Sequence, residues 1–482
     1  MKTEFNRFFA PRSLAFLGAS TDTTKWGFRI LANILTGGFQ GKIYPVNPKG
    51  GEVLGLKVYS SIEEIPEAPD LAIIVVPPAG MVETIKQCVS KGIKAAVVVT
   101  AGFAEVNQSG AEVQEEIVRL ARQGGLRLIG PNCFGILSPS AKLYAQMPPI
   151  FPPDGQLAVV SQSGNVGLTI ARRAMALDFG CSRMISIGNE ADLHAEDFLE
   201  YLAGDDKTKV ILSYIEGLKD GRRFFEVAKN TSFKKPIVMI KVGETEAGAS
   251  AARSHTAALS GSAEVFNGVS RQAGIVRANN LQELMNLAYG FLCHPIPKGR
   301  RVGIATLGGG WGVLAADACA RLGLDVIKLP ADVVSELDSF LPVWWSRNNP
   351  VDTVAGSADN ITRVVDILAK SDATDAVLAL GVPFPHLARM TLPTDEEEKN
   401  KFFEFIIESY RKSFGEMKAI SQKYGKPVIV AAELPTPRGE RAIDQDIVRS
   451  ISKQNMVCYS MPDEAAMVLN SMVKYGEFLR NG

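Results

Sequence analysis

One histidine of this chain stands in a setting suited to chemistry. His255 lies within residues 241–262, KVGETEAGASAARSHTAALSGS, which are mostly small. Small residues on both sides predict a loop that approaches a ligand closely or moves. A neutral imidazole can act as a base, a metal ligand or a nucleophile. No second His or Cys stands nearby at metal-ligand spacing, so we expect no metal there, and the residues leave base and nucleophile both open. The remaining histidines, which lack such a loop, are His194, His294 and His386.

A carboxylate that could orient this imidazole follows a predicted strand. Glu216 comes directly after the apolar run 210–215, and a second apolar run, 236–240, precedes the His255 loop. Consecutive parallel strands end at the same edge of a sheet, so we expect the two segments to lie together. A carboxylate beside an imidazole would orient it and stabilise its charged form. A solvated loop acid would have the same spacing, so both interpretations of Glu216 stay open.

A possible anion site follows a strand in the middle of the chain. Residues 157–160 predict a strand, the sequence SQSGNVG follows, and residues 168–176 predict a helix. Small residues at a helix N-terminus leave backbone N–H groups free, and the helix dipole favours an anion there. A serine at this position is also the ordinary residue for capping a helix. The candidate phosphate-binding residues are Ser163, Gly164 and Asn165.

The first third of the chain begins as a nucleotide-binding α/β domain would. An apolar strand at 13–17 leads through Gly18, Ser20 and Lys25 into a helical pattern at 28–35. Strand, glycine turn and helix in this order are the start of a doubly wound domain. The glycines do not form a GxGxxG pattern, so the signal for a dinucleotide is weak.

The residues after the second predicted strand also differ from those of a nicotinamide-binding domain. That position would carry Asp or Glu to hold the ribose hydroxyls, but this chain has Asn47 and Lys49 after the strand at 43–46. A cation there suits a phosphate on the ribose, which both NADP and coenzyme A carry. The ends of the next two predicted strands carry Val76, Pro77 and Thr100. These ends lie at the edge where such sheets bind ligands.

The whole chain alternates apolar strands with amphipathic helices, which predicts parallel sheets covered on both faces. The late stretch TLGGGWGVLAADACARLGLD repeats the pattern of SQSGNVGLTIARRAMALDFG. We predict an α/β fold of three doubly wound parallel-sheet domains, Rossmann-like or flavodoxin-like, over residues 1–140, 150–292 and 300–482. Proline-rich stretches predict linkers near 138–154 and 294–300.

Composition and charge argue against several classes of protein. The 482 residues include 52 basic and 52 acidic side chains, and this balance argues against a nucleic-acid-binding surface. Apolar runs such as 71–76 are far too short to cross a bilayer, and the N-terminus lacks the pattern of a secretion signal. The six cysteines are scattered without a CxxC pair, so we expect reduced thiols and a cytoplasmic location.

Eight short motifs carry a resemblance that covers nearly the whole chain. They resemble, in the same order, those of the nucleoside-diphosphate-forming acyl-CoA synthetases, specifically the alpha subunit of ADP-forming acetyl-CoA synthetase. The first two predicted domains are also similar to the alpha subunit of succinyl-CoA synthetase. The motifs are Gly18-Ala19-Ser20, Asn47-Pro48-Lys49, Val76-Pro77-Pro78, Gly130-Pro131-Asn132-Cys133, Ser161-Gln162-Ser163-Gly164-Asn165, Gly188-Asn189, Glu216 and Ser254-His255-Thr256.

The resemblance implies a reaction and catalytic residues. Enzymes of this family form an acyl phosphate and free CoA from acyl-CoA and phosphate, and a histidine then passes the phosphoryl group to ADP. His255 matches that nucleophile, and Glu216 matches the carboxylate that holds the other ring nitrogen. Ser163, Gly164 and Asn165 match the helix N-terminus that receives phosphate.

The resemblance also implies binding residues for CoA and for the thioester. Asn132 and Cys133 match residues near the thioester, and we expect Cys133 to line the site rather than act as a nucleophile. Phe134 or Phe151 could line a pocket for the acyl group. The residues that match the CoA-binding edge are Gly18, Ser20, Lys25, Asn47, Lys49, Val76, Pro77 and Thr100.

A partner subunit is a further implication of the resemblance. In this family an ATP-grasp beta subunit binds ADP or ATP with Mg²⁺, and an α2β2 assembly is expected. The chain shows neither an ATP-grasp segment nor a GxxxxGK[ST] loop, so we expect it to need that partner for ATP synthesis. The turn at 308–312 reads GGGWG where the family more often has Gly-Gly-Pro-Gly, so a ligand role for it does not carry over.

Two other functions compete with the acid–CoA ligase. A CoA-binding regulatory protein without catalysis would need neither the Ser-His-Thr sequence nor Glu216. An NADP-dependent dehydrogenase would need a GxGxxG turn and a hydride-transfer site, and the sequence offers neither. Phosphorylation of His255 would separate the ligase from the regulatory protein, and stabilisation by CoA rather than NADP would separate it from the dehydrogenase.

Overall fold

The computed structural model describes residues 2–248, 250, 262–353, 358–381, 395–434 and 443–482. The chain divides into two compact units, Met1–Leu284 and Met285–Gly482. Two mostly parallel sheets belong to the first unit and one to the second. All of the predicted site residues fall within the range of the first unit.

The first sheet is built from the amino-terminal third of the chain. Its elements are α1 Lys2–Phe9, β1 Ser13–Leu17, α2 Trp26–Thr36, β2 Lys42–Val46, β3 Glu52–Val53, β4 Leu56–Lys57, β5 Leu71–Ile74, α3 Met81–Ser90, β6 Ala95–Val98, α4 Gln108–Gln123 and β7 Arg127–Ile129. The strands lie in the order β2-β1-β5-β6-β7, which is the flavodoxin-like order, and β3 and β4 form a separate hairpin.

Both faces of this sheet are buried. Leu14 and Phe16 of β1 share one core with residues of α1 and α2. Ala15 and Leu17 point to the other face and share a second core with residues of α3 and α4. Because successive side chains of a strand alternate between faces, burial of both faces explains why these strands are continuous apolar runs in the sequence.

The second sheet has five parallel strands and two antiparallel strands at one edge. Its elements are β8 Gly135–Ser138, β9 Leu143–Gln146, β10 Asp154–Ser161, α5 Gly164–Ala176, β11 Cys181–Ser186, α6 Ala195–Ala203, β12 Val210–Ile215, α7 Gly221–Ser232, β13 Ile237–Lys241, α8 Ala263–Gln272 and β14 Val276–Arg277. The order β14-β13-β12-β10-β11-β8-β9 gives the parallel strands the flavodoxin-like order again.

The predicted linker over residues 138–154 contains a strand that the sequence pattern did not indicate. Strand β9 lies in the middle of this stretch and pairs with β8, which pairs in turn with β11 of the second sheet. The prolines of the stretch fall in the connections on either side of β9, where no backbone N–H is needed for a ladder hydrogen bond. The prolines therefore lie in the turns on either side of a short strand, and the stretch is not an extended linker.

The second unit contains the third sheet. Its elements are α9 Leu281–Cys293, in which the division between the units falls, β15 Arg301–Thr306, α10 Gly309–Leu322, β16 Asp325–Val326, α11 Ala331–Asp338, β17 Val351–Asp352, α12 Ala358–Lys370, β18 Ala376–Leu380, α13 Glu396–Tyr424, β19 Val428–Ala431, α14 Ile443–Ser452, β20 Cys458–Tyr459 and α15 Pro462–Asn481. The order is β16-β15-β18-β19-β20, and β17 pairs with β15 outside that path.

The predicted α/β fold class is confirmed, and some strands have the predicted bounds, among them Ser13–Leu17 and Val210–Ile215. Helices α2 and α5 begin two and four residues earlier than predicted, at Trp26 and Gly164, because the small and polar residues of a first turn carry no apolar periodicity. Within the described ranges, no helix is both long and apolar enough to cross a bilayer.

Candidate active site

Glu216 lies at the carboxyl edge of the second sheet. It follows β12 directly and is 5% exposed. Strand β13 ends beside it, because Ile215 pairs with Lys241, whose Nζ donates a 2.7 Å hydrogen bond to the backbone oxygen of Glu216. Burial lowers the pKa of Lys241, an effect that Glu244 and Glu216 oppose. The chain therefore leaves β13 beside Glu216. His255 itself lies outside the described residues, so its contact with Glu216 stays a prediction.

The N-terminus of α5 lies at the end of the adjacent strand, β10. Ser163 caps the helix, with Oγ accepting a 3.5 Å hydrogen bond from a backbone N–H three residues on, and Ser161 Oγ donates one of 2.6 Å to the backbone oxygen of Ser163. A Cβ at Gly164 would come within 2.2 Å of the Phe134 ring, so glycine allows this ring to pack on the first turn. Asn165 is exposed. Phosphate binding at this N-terminus stays a prediction.

Gln162 joins Glu216 to the N-terminus of α5, a role that no sequence pattern indicated. Its Oε1 accepts hydrogen bonds from the backbone N–H groups of Glu216 and Gly217, the latter at 3.1 Å. Its Nε2 donates to the backbone oxygen of Gly217 at 2.8 Å and to the carboxylate of Glu190. Gln162 belongs to the SQSGN motif, but nothing in the sequence shows that its side chain reaches across to β12.

Glu190 is a buried carboxylic acid beside this glutamine. Its φ is 50°, and Oε1 accepts a 2.7 Å hydrogen bond from the backbone N–H of Ala195. Burial raises the pKa of Glu190 to about 7, although the hydrogen bonds from Gln162 and Ala195 act in the opposite direction. Lys219 Nζ donates to the backbone oxygen of Glu190 at 2.6 Å. Burial therefore favours the protonated form of Glu190 more than it would for an exposed glutamate.

A tight turn after β7 brings the edge of the first sheet to the second. Asn132 has a φ of 58°, its backbone N–H donates to Thr100 at 2.9 Å, and its Nδ2 donates to Asn189 Oδ1 at 3.2 Å. Gly188 allows this approach, because a Cβ there would lie 2.3 Å from the backbone oxygen of Pro131. The predicted thioester residue Asn132 therefore lies between the carboxyl edges of the two sheets.

Cys133, the other predicted thioester residue, is 1% exposed. Its Sγ donates to the backbone oxygen of Val98 at 3.3 Å, and burial raises the pKa of the thiol to about 12. A protonated, hydrogen-bonded thiol is not a nucleophile at neutral pH. The side chain therefore packs against the end of β6, under the turn, and almost none of its surface is accessible to a ligand.

The predicted CoA-binding residues begin at the ends of β1 and β2. Gly18 has a φ of 95°, and a Cβ there would lie 2.7 Å from the backbone oxygen of Val75, so the turn after β1 lies against the end of β5. Asn47 Nδ2 donates to the backbone oxygen of Ala19 at 2.8 Å, and its Oδ1 accepts from the backbone N–H of Lys49 at 3.0 Å. The Lys49 side chain is exposed at this edge.

The remaining predicted CoA-binding residues continue the same edge. Thr100 Oγ1 donates to the backbone oxygen of Val76 at 2.7 Å, and Pro77 is exposed beside it. Ser20 Oγ accepts a 3.1 Å hydrogen bond from a backbone N–H in its own turn, and Lys25 immediately precedes α2. Together with the bond from Asn132 to Thr100, these contacts form one continuous edge from Lys49 to the thioester turn.

The β3–β4 hairpin adds a cation that the sequence did not single out. Lys57 Nζ lies 5.0 Å from the ring centroid of Tyr59, and the backbone oxygen of Tyr59 accepts a 3.0 Å hydrogen bond from Asn47. Lys57 therefore lies close to the strand end that carries Lys49. Two-residue strands have no measurable periodicity, which is why no sequence pattern indicated this hairpin.

Three family models match successive parts of the chain: "CoA binding domain" at residues 12–139, "Succinyl-CoA ligase like flavodoxin domain" at 154–291 and "Ligase-CoA domain" at 302–393. Over 478 residues the chain is 38% identical to the alpha subunit of ADP-forming acetate–CoA ligase II of Pyrococcus furiosus, covering 98% of each protein. The chain belongs to the alpha subunits of the ADP-forming acid–CoA ligases.

A longer relative and a solved structure agree with the assignment of this chain to the ADP-forming acid–CoA ligases. An ADP-forming acetate–CoA ligase of Methanocaldococcus jannaschii is 41% identical over 71% of this chain, which corresponds to 48% of that protein. The solved structure of dinucleotide forming acetyl-coenzyme A synthetase 1 of Ca. Korarchaeum cryptofilum, in complex with phosphate and ADP, is 32% identical, with a TM-score of 0.84 over 100% of this chain and 99% of that one.

These relatives decide between the alternatives raised by the sequence. The acid–CoA ligase is an enzyme of the acid–thiol ligase type, and neither a regulatory protein without catalysis nor a dehydrogenase is favoured. CoA and a nucleotide with phosphate take part in the chemistry of the family. As an alpha subunit, the chain implies a partner subunit. Within the described ranges, no group of three His, Cys, Asp or Glu side chains could hold a metal ion.

Proposed function

We propose that this alpha subunit converts acyl-CoA and phosphate into an acyl phosphate and CoA, and that His255 then carries the phosphoryl group toward ADP. The observation that supports the proposal best is one edge of the second sheet. Glu216, the N-terminus of α5 and the end of β13, from which the chain runs on to residue 255, all lie there. The thioester turn at Asn132 approaches the same edge.

The chemistry balances in three steps. A phosphate oxygen held at the N-terminus of α5 attacks the thioester carbonyl, the C–S bond breaks, and the CoA thiolate takes up a proton. An imidazole nitrogen of His255 then attacks phosphorus, the P–O bond to the carboxylate breaks, and the free acid leaves. ADP finally takes the phosphoryl group from the imidazole. Phosphoryl transfer depends mainly on positioning the reacting groups and on neutralising their charge. The helix N-terminus would neutralise negative charge on the phosphate, and Glu216 would position the imidazole.

The proposal places CoA along the edge of the first sheet. The exposed Lys49 would meet the ribose phosphate, while Gly18 and Ser20 would let the backbone approach the diphosphate. Asn132 would hold the thioester near the N-terminus of α5. The other residues proposed to line the bound CoA are Lys25, Asn47, Val76, Pro77 and Thr100, and Cys133 would support the thioester turn.

The proposal assigns the nucleotide to a second chain. We infer an ATP-grasp beta subunit that binds ADP or ATP with Mg²⁺, in an α2β2 assembly. We infer a small carboxylic acid, and acetate is the first to test because the Pyrococcus furiosus relative is named for it. A cytoplasmic location fits six cysteines that are all free of disulfides.

The deciding experiment is an acid-labile phosphate assay with mapping of the labelled site. The chain is incubated with acetyl-CoA and labelled inorganic phosphate, with and without a candidate beta subunit. We expect label on His255 and release of CoA. His255→Ala should lose the label and keep its affinity for CoA, whereas His386→Ala, a control outside the loop, should keep the label. Label on a residue other than His255, or loss of CoA affinity in His255→Ala, would overturn the assignment.

A further inference from the structure

A polar clamp joins three neighbouring strand ends of the second sheet. We define it as Gln162 after β10, Glu190 after β11 and the backbone of residues 216–217 after β12. The Gln162 carboxamide makes four hydrogen bonds, two accepted from the 216–217 backbone and two donated, to Gly217 and to Glu190. We propose that Gln162 is a positioning residue of the ligase reaction, which holds the Glu216 turn in register with the N-terminus of α5.

The hydrogen-bond directions dictate the residue type at position 162. Oε1 faces two N–H donors, and Nε2 faces a carbonyl and a carboxylate, which are both acceptors. Rotating the amide by half a turn would set donors against donors and acceptors against acceptors. A carboxylate of the same shape accepts hydrogen bonds but donates none when ionised. Opposite an ionised Glu190, the clamp therefore needs a group at this position that both accepts and donates, as a neutral amide does.

The clamp lies between the two groups that are proposed to hold phosphate and to orient the catalytic histidine. Gln162 directly precedes Ser163, the cap of α5, and its backbone N–H donates to Tyr214 on β12 at 3.1 Å. Main chain and side chain thus both tie the proposed phosphate site to the proposed catalytic carboxylate. A displacement of about 1 Å between groups of this kind can cost on the order of a hundredfold in rate. This inference rests on the proposed function, because it takes Glu216 as the catalytic carboxylate.

Charged and titratable groups approach the clamp from several elements. His194 at the start of α6 and Lys219 after β12 favour the ionised form of Glu190, whereas burial opposes it. Lys241, at the end of β13, is bonded to the backbone oxygen of Glu216. Since the carboxyl of Glu190 meets Gln162 directly, a carboxylate at position 162 would share a proton with it near neutral pH.

The test uses the complete enzyme with its partner subunit, acetyl-CoA, inorganic phosphate and Mg-ADP. Gln162→Ala should lower kcat about tenfold to a hundredfold and change KM for acetyl-CoA less than about threefold. Gln162→Glu should be active at low pH, where a proton shared between the two carboxyls lets Glu190 donate to the new carboxylate, and should lose activity as the pH rises and that proton is lost. The double variant Gln162→Glu/Glu190→Gln should lose less activity over the same rise in pH, because Gln at 190 supplies a donor that does not titrate.

A matched control separates the clamp from a general loss of structure. Gln156→Ala changes an exposed glutamine near the opposite end of the same strand and should leave kcat unchanged. An unchanged kcat in Gln162→Ala would overturn the clamp, and so would a double variant whose activity falls with rising pH as steeply as that of Gln162→Glu. If the wild-type complex turns over and the Gln162 variants match it in kcat and in pH dependence, the clamp alone fails. If the wild-type complex releases no CoA, the proposed function and the clamp both fail.

Discussion

Three amide side chains, Asn47, Asn132 and Gln162, tie neighbouring strand ends together in the first unit. Each bonds to a group on another segment: Asn47 to the turn after β1, Asn132 to Asn189, and Gln162 to the turn after β12. An amide both donates and accepts, so it can bridge backbone groups without adding charge. The edge proposed to bind two anionic ligands is therefore shaped by neutral groups, and its exposed lysines remain available for phosphates.

Lys49 is the residue proposed to meet the ribose phosphate of CoA. Lys49→Ala should weaken binding of CoA by about threefold to tenfold, since an exposed ion pair contributes about 1 kcal/mol, and the loss should shrink at high salt. Dephospho-CoA should bind the variant and the wild type equally well. Isothermal titration with both ligands makes the comparison.

Lys42→Ala is the control for this experiment. Lys42 lies at the amino end of β2, the strand whose carboxyl end leads to Lys49. It forms an exposed ion pair with Glu67 at 3.1 Å. Its removal should leave the affinity for both ligands unchanged. An equal loss for CoA and dephospho-CoA in Lys49→Ala would show that Lys49 does not meet the ribose phosphate.

At the scale of elements, the connection between β11 and α6 joins the first two sheets. Asp192, which is 2% exposed, accepts hydrogen bonds from Arg122 at 2.8 Å and from Arg127 at 2.9 Å. It also accepts one of 2.8 Å from the buried backbone N–H of Leu128 on β7. The same connection carries Gly188, Asn189 and Glu190, so this junction sets the position of the thioester turn.

Asp192→Ala should destabilise the first unit by about 2 kcal/mol, because it leaves the Leu128 N–H buried without its acceptor and removes the partner of Arg127. For a unit of this size that corresponds to roughly 3–4 °C in the midpoint of thermal unfolding. Glu112→Ala, an exposed acid on α4, should shift the midpoint by less than about 1 °C. Scanning calorimetry tests both, and equal shifts would contradict the role given to Asp192.

At the scale of the whole molecule, one hydrophobic core lies within the second unit. Among the described residues, this core contains the fully buried Trp345 and Tyr410. Trp345 Nε1 also donates a 2.7 Å hydrogen bond to Asp338 Oδ1. CoA and its thioester are proposed to bind in the first unit, so we expect a cavity in this core to leave CoA binding unchanged.

Trp345→Ala should destabilise the second unit by about 3–5 kcal/mol, the usual cost of removing a large buried aromatic side chain. CoA affinity and the CoA-stabilised transition of the first unit should stay unchanged. Trp344→Ala is the matched control, because the neighbouring tryptophan is 71% exposed and its removal should cost little. Calorimetry with and without CoA separates the transitions. A single transition that shifts as a whole in Trp345→Ala would contradict independent units.

The repeated pattern of apolar strand, glycine turn and helix was enough to predict the α/β class, since each strand is buried on both faces and shows as a continuous apolar run. The same logic placed Glu216 and Ser163 at strand ends. It missed strand β9 within the predicted linker at 138–154, where prolines occupy the turns on either side of the strand. The hairpin at 52–57 escaped notice because two-residue strands leave no periodic signal.

The sequence by itself determined the fold class, the candidate residues and, through its motifs, the resemblance to the ADP-forming acid–CoA ligases. Local order along the chain encodes these, because strands, turns and caps depend on near neighbours. The tertiary structure alone decided which groups meet: Gln162 with Glu190 and the Glu216 turn, and Asn132 with Asn189. Hydrogen bonds between residues 28 to 57 positions apart depend on strand order and register, which no local pattern specifies.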